Sequence, residues 1–111
     1  MVNSGISQIS FHECSVDALS LSNGRFSLKI SDVKKGNEVC SIVISASSCA
    51  LIIDGVTINC FTPPQADGEI LSLKFTDNKV DCLNEWHFFP GSKTLTQEFI
   101  IISNHIIWKW L

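Results

Sequence analysis

The sequence predicts an all-β fold, mainly antiparallel, arranged as a small sandwich or a partly open barrel of about eight short strands. Three observations support this. Apolar residues recur at every second position through most of the chain, pairs such as Asn23-Gly24 form tight-turn signals between these runs, and β-branched residues are abundant within them. With 111 residues, the chain has the length of one domain, which we place at residues 1–111.

The first elements are an N-terminal segment and a hairpin. Ile6, Ile9 and Phe11 open a short strand or an irregular edge. The Asn23-Gly24 turn then predicts a hairpin with two apolar cross-strand pairs, Leu21 with Phe26 and Leu19 with Leu28. Val16 has the opposite parity to Leu19, so we expect a bulge or a strand break near residues 17–18.

The middle of the chain is predicted to contain two strands within residues 39–53, separated at Ser47-Ser48. A buried helix over residues 41–53 is the alternative, and the Ile and Val content disfavours it. Asp54-Gly55 is a second turn signal that leads to a strand beginning near Val56. Two successive prolines make residues 61–66 a loop, because proline cannot donate to a strand ladder.

A hairpin from Asp67 to Trp86 organises the second half of the sequence. A two-residue Asp77-Asn78 turn predicts one apolar face with three pairs: Phe75 with Val80, Leu73 with Cys82, and Leu71 with Asn84. The opposite face would pair Lys74 with Asp81, Ser72 with Leu83, and Ile70 with Glu85. Residues 94–103 are apolar on both faces near their end, which predicts a strand that is central in the sheet or covered by a loop. Residues 106–111 form a last strand.

Composition narrows the function classes. The chain is 45% hydrophobic and 17% charged, so it can build a core and has no signature of disorder. Its net charge of -3 argues against direct binding of nucleic acid, which normally uses clustered Lys and Arg. Residues 1–10 have no signal-peptide pattern and no run has membrane-spanning length, so we expect a cytoplasmic protein without a membrane partner. Five cysteines without CxxC spacing are expected to be reduced, buried thiols.

Candidates for catalysis are the histidines His12, His87 and His105. Their neighbours in sequence include Glu13, Cys14 and Glu85. They belong to no nucleophile elbow, phosphate loop or HExxH array. We therefore expect no enzyme activity, no catalytic residues, no cofactor and no metal site. The aromatic residues are expected in the core, namely Phe26, Phe75, Trp86 and Phe99.

The acidic residues of the organising hairpin are the better candidates for function. Asp81 and Glu85 are expected on its outer face, Asp67 and Glu69 lie at its open end, and Glu13 and Asp17 could border it. One patch of this kind would attract a basic partner. The expected partner-binding residues are Asp67, Glu69, Lys74, Asp81, Glu85 and His87. The alternative is an ordinary solvated strand face with one Lys74–Asp81 pair, worth under about 1 kcal/mol.

Several segments resemble a known group of proteins: FHEC at Phe11 to Cys14, the Leu-Ser-Leu hairpin, GEILSLKFTDNKVDCLNEW at Gly68 to Trp86, and a last strand that contains tryptophan. In this respect the chain resembles the small β-proteins that bacteria use as immunity proteins against polymorphic toxins, including those of contact-dependent growth inhibition. The resemblance implies a non-enzymatic protein that binds a cognate toxin domain, commonly a nuclease with a basic active-site surface, and covers its active site.

Two other functions remain open at this stage. A small-ligand-binding or enzymatic β-barrel would enclose a cavity with a few polar groups such as His12, His87 or Cys14. A structural subunit would associate through its strand edges. The immunity hypothesis predicts that changing Asp81 and Glu85 to lysine weakens toxin binding and leaves the fold intact.

Overall fold

The computed structural model describes residues 9–76, 78–89 and 91–111. Within these residues the secondary structure consists of nine strands and no helix. The strands are β1 (Ser15–Ser22), β2 (Arg25–Lys35), β3 (Glu38–Ser47), β4 (Ala50–Ile53), β5 (Val56–Ile58), β6 (Asp67–Thr76), β7 (Lys79–His87), β8 (Thr94–Ile102) and β9 (His105–Trp110). The prediction of an all-β, antiparallel fold is confirmed.

The strands form one antiparallel sheet in the order β5-β4-β8-β7-β6-β1-β2-β3-β9, which is not closed into a barrel. The sheet has two halves, β1-β2-β3-β9 and β5-β4-β8-β7-β6. Where the two halves meet, β1 and β6 form two residue pairs, Ser15 with Glu69 and Val16 with Gly68. The buried apolar side chains of both halves belong to a single cluster, so the sheet folds over a shared core.

The core follows from strand alternation. In the first half the buried residues include Leu28 and Ile30 of β2 and Ile44 of β3, and in the second half they include Trp86 of β7 and Ile101 of β8. Each of these strands therefore presents alternate side chains to the core and to the outside. Phe26, Trp86 and Phe99 are buried as predicted, whereas Phe75 is only half-buried against the core cluster.

The β1–β2 hairpin has the predicted register, with Leu21 opposite Phe26 and Leu19 opposite Leu28. Asn23 and Gly24 have φ values of 53° and 73°, the left-handed conformation that a two-residue hairpin turn of this type requires. The register shifts between Val16 and Ala18, which confirms the predicted bulge. Ile6, which was expected to start an N-terminal strand, lies outside the described residues.

The remaining elements agree with the sequence analysis at most positions. Residues 39–53 form two strands that separate at Ser48-Cys49, and residues 61–66 form a loop with one isolated bridge from Phe61 to Leu21. β8 is central, lying between β4 and β7. β9 pairs with β3 and forms one edge of the sheet.

The hairpin of β6 and β7 differs from its predicted register at one end. Two predicted pairs of the apolar face are present, Leu73 with Cys82 and Phe75 with Val80. Two predicted pairs of the outer face are also present, Lys74 with Asp81 and Ser72 with Leu83, and Thr76 pairs with Lys79 beside the turn. The two pairs Leu71–Asn84 and Ile70–Glu85 were predicted wrongly, because the register shifts between Ile70 and Ser72. Ile70 faces Asn84 and Glu69 faces Glu85 instead. Asp77 of the predicted turn lies outside the described residues.

Candidate functional site

The six residues predicted to bind a partner lie on the same outer face of β6 and β7. Because Val80, Cys82, Asn84 and Trp86 are buried, the alternate residues Asp81, Glu85 and His87 of β7 face outward. The β6 residues of this face sit opposite them: Asp67 pairs with His87, Glu69 with Glu85, and Lys74 with Asp81. We call this surface, with Glu98 of β8 added below, the acidic face.

A β-bulge at Leu71 brings these residues to one face. Without the extra residue, Asp67 and Glu69 would have the parity of Leu73 and Phe75 and would point toward the core. The sequence contains a signal for this bulge: polar residues occupy odd positions at Asp67 and Glu69 and even positions at Ser72 and Lys74. This change of parity indicates a bulge between them.

Asn84 holds the strand in place beside the bulge. Its side chain is only 1% exposed. In the amide orientation that satisfies its neighbours, its Nδ2 donates to the Glu69 carbonyl at 2.9 Å and its Oδ1 accepts from Trp86 Nε1 at 3.3 Å. Trp86 Nε1 also donates to Gln97 Oε1 at 2.8 Å. A buried amide therefore fixes the backbone that carries Glu69.

At the open end of the hairpin, three side chains of the acidic face converge. His87 Nε2 lies 3.3 Å from Glu85 Oε1 and 3.4 Å from Glu69 Oε1. The three side chains are about one-third exposed, at 34% for His87, 36% for Glu69 and 28% for Glu85. A protonated His87 would form an ion pair with both carboxylates.

Glu98 is a member of the acidic face that sequence reasoning missed. Glu98 is on β8, opposite Leu83 of β7. Its backbone N–H donates to Asp54 Oδ1 at 3.0 Å. A hydrogen bond to the Asp81 carboxyl group and the charge of Asp81 raise the pKa of Glu98. Glu98 is 44 residues from Asp54 and 17 from Asp81 in sequence, and only the position of β8 between β4 and β7 brings the three together.

Apolar side chains lie next to the acidic residues on the same side of the sheet. Ile100 of β8 sits between Ile52 of β4 and Asp81 of β7. Ile102, the last residue of β8, is 42% exposed. Leu83 lies among the acidic residues and is half-buried. This side of the sheet thus combines an apolar corner with an acidic corner.

The other candidate residues are distributed elsewhere. His12 Nδ1 lies 3.0 Å from the Leu71 carbonyl, and the backbone N–H of Glu13 donates to the Ile70 carbonyl at 2.8 Å, so both residues lie beside the bulge. Asp17 does not join the acidic face, because its carboxylate pairs with Lys29 at 3.1 Å. His105 lies on β9, in the other half of the sheet.

The cysteines give no sign of a reactive nucleophile in the core. Cys14 and Cys82 are buried, and burial raises the pKa of both thiols, that of Cys82 to about 12. Cys60 is exposed, which differs from the expectation that the thiols are buried. All five are free thiols.

A surface depression of about 380 Å³ lies on the other half of the sheet. Its lining combines apolar residues with a few polar groups: Arg25, Phe26, Ser45, Ala46, Ser47, His105 and Ile107. Of the three residues expected to serve a ligand-binding barrel, His12, His87 and Cys14, none lines it.

The chain matches no family model, no curated protein and no solved structure. Among the described residues there is no helix of the length and apolarity needed to cross a membrane.

Proposed function

We propose that this protein binds another protein through its acidic face and acts as an immunity protein, inhibiting a cognate bacterial toxin domain by covering its active site. The observation that supports the proposal is the gathering of Asp67, Glu69, Asp81, Glu85 and Glu98 on one side of the sheet. Such a surface attracts and orients a basic partner such as a nuclease domain. The toxin as the partner comes from the sequence resemblance, and with it the cytoplasm as the place of action.

The size of this side of the sheet supports a protein as the partner. Four strands, β4, β8, β7 and β6, contribute to it, and β7 has nine residues. These four strands have 4, 9, 9 and 10 residues, 32 in all. With strands about 4.8 Å apart and about 3.4 Å per residue, the flat area is about 520 Å². A standard interface buries about 800 Å² on each partner, so this side would supply about two-thirds of such an interface and the rim of the sheet the rest.

The half of the sheet that carries the acidic face has more carboxylates than lysines to pair with them. Residues 50–102 contain seven Asp or Glu and three Lys. Glu69 and Glu85 face each other directly, and Glu98 lies beside Asp81. Like charges at opposed positions destabilise a sheet. A basic partner would remove this repulsion on binding.

The test begins with a pull-down of the tagged chain from its own cells, with the activity of the recovered partner measured with and without the protein. Affinity is then compared for wild type and the double variant Asp81→Lys, Glu85→Lys, in the presence of EDTA. Loss of close charge pairs worth about 1.5 kcal/mol or more each should weaken binding by at least about tenfold.

The matched control is the double variant Asp17→Lys, Glu38→Lys, which makes the same change in net charge on the other half of the sheet. Its affinity should stay close to that of wild type. An Asp81/Glu85 variant that is folded and binds like wild type would remove the acidic face from the proposal. A partner whose activity is unchanged by the protein would remove the immunity function.

A further inference from the structure

Glu69, Glu85 and His87 form a three-residue cluster with the donor atoms of a metal site. One ligand atom of each lies within 4.8 Å of the others. The cluster is built on two paired strands: Glu69 faces Glu85 across β6 and β7, and His87 follows Glu85 on the same face. Side chains placed by strands are held more precisely than side chains on loops.

We propose that these three residues bind a divalent transition-metal ion, with Zn²⁺ as the reference ion. Zinc binds imidazole nitrogen and carboxylate oxygen at about 2.0–2.2 Å in tetrahedral geometry, which separates neighbouring ligand atoms by about 3.3–3.6 Å. His87 Nε2 lies at 3.3 and 3.4 Å from the two carboxylate oxygens. These two separations match a tetrahedral edge, and the third, between the two carboxylate oxygens, is at most 4.8 Å.

The chemistry of the donor set selects among ions. Ca²⁺ and Mg²⁺ prefer oxygen ligands in sites of six or more positions, whereas one imidazole and two carboxylates suit Zn²⁺ and its neighbours in the first transition series. Three protein ligands leave a fourth position for water or for a ligand atom of a bound partner.

Electrostatics favour an ion of double charge at this point. Glu69 and Glu85 are opposed across the strands and are each only about one-third exposed, at 36% and 28%. A dication supplies two positive charges against the two carboxylates, and it binds the neutral imidazole of His87 through a ring nitrogen.

The backbone around the cluster is fixed from the core side. Asn84, which is buried, donates to the carbonyl of Glu69, and Trp86, which lies between Glu85 and His87 in sequence, is 2% exposed. The strand positions that carry the three ligands are therefore anchored by core residues. Removing a ligand side chain from the outer face leaves these anchors in place.

The experiment is a titration of the full, reduced chain with ZnCl₂ by calorimetry, in a Cys60→Ser background that removes the exposed thiol. We expect one ion per chain. His87→Gln and Glu85→Gln should each weaken binding by at least about tenfold, and His105→Gln, on the other half of the sheet, should leave it unchanged. Co²⁺ as a probe should give the visible absorption of a tetrahedral site, lost in His87→Gln.

Thermal unfolding of each variant without metal shows whether it is folded, and Glu69→Gln replaces either variant that is not. The proposal is overturned when wild type shows no saturable Zn²⁺ binding, or when His87→Gln and Glu85→Gln bind as tightly as wild type. The tests of metal binding and of the proposed function are independent of each other. The titration contains no partner protein, and the partner assay contains EDTA, which removes metal ions.

Discussion

The two halves of the sheet are alike on their inner faces and different on their outer faces. In both, alternate apolar residues enter one core, as Ile30 does in β2 and Ile101 in β8. The outer face of the first half carries short hydroxyl side chains and cations, among them Ser27, Ser45, Arg25, Lys29 and Lys109. The charged side chains on the outer side of the second half are mainly carboxylates, those of the acidic face.

The charge count follows the same division. Residues 15–47 and 105–111 contain five Lys or Arg and three Asp or Glu, whereas residues 50–102 contain three Lys and seven Asp or Glu. Because the inner faces already specify the fold, the outer faces are free to differ. The strand alternation that forms the core therefore does not require the acidic residues of the second half.

The largest expected effect on stability is at Asn84, the buried residue that anchors the β6 backbone beneath the acidic face. Asn84→Asp replaces a buried donor with a carboxylate that faces the carbonyl of Glu69. Burying an unpaired charge there should cost about 3 kcal/mol or more of the free energy of unfolding at pH 7. The measurement is urea denaturation, with Asn37→Asp, an exposed turn residue of the other half, as the control. A variant as stable as the control would show that Asn84 does not anchor the bulge.

The next largest effect on stability is expected at Gly68, where β6 of one half meets β1 of the other. At Gly68 an added Cβ would lie 2.8 Å from Trp86 Cζ3 and 2.9 Å from Val16 Cβ, so β6 approaches β1 too closely for any side chain. Gly68→Ala should destabilise the protein by about 1–3 kcal/mol, as overpacking does in cores. Ser72→Ala, exposed on the same strand, should stay within about 0.5 kcal/mol of wild type. A neutral Gly68→Ala would mean that the two halves can separate slightly at this point.

Sequence reasoning predicted the repeating part of the structure. Alternation and turn residues are local properties, so they were sufficient for the β1–β2 hairpin, its bulge and the pairs from Ser72 to Lys79. The same reasoning gave the wrong register from Ile70 back to Asp67. The extra residue of the bulge reverses which side of the sheet each side chain N-terminal to it faces. The parity change from Glu69 to Ser72 contained the information, and applying it would have placed Glu69 opposite Glu85.

The candidate site could be predicted only in part for a different reason. Four of its acidic residues belong to one hairpin, so the sequence predicted that they lie close together: Asp67, Glu69, Asp81 and Glu85. Glu98 was missed because its nearness to Asp81 depends on β8 pairing with β7 and not with another strand. Strand order depends on how the whole core packs, and turn chemistry does not specify it.

The smallest expected effect concerns Glu98 and tests whether the crowded charge opposes folding. The pKa of Glu98 is raised in the folded state by Asp81, so the ionised carboxylate destabilises the fold above the ordinary pKa of glutamate. This destabilisation disappears as the pH falls and the group binds a proton. Glu98→Gln should therefore raise Tm at pH 7, and its advantage over wild type should shrink as the pH is lowered toward 3.5.

The control for this prediction is Glu38→Gln, an exposed residue of the other half, for which we expect little change in Tm at either pH. Lys79 lowers the pKa of Glu98 and so acts against the effect of Asp81. A Glu98→Gln variant with the Tm of wild type at pH 7 would mean that Lys79 balances the pair. The acidic half would then hold its charge without a loss of stability, and repulsion relieved on binding would no longer support the proposed function.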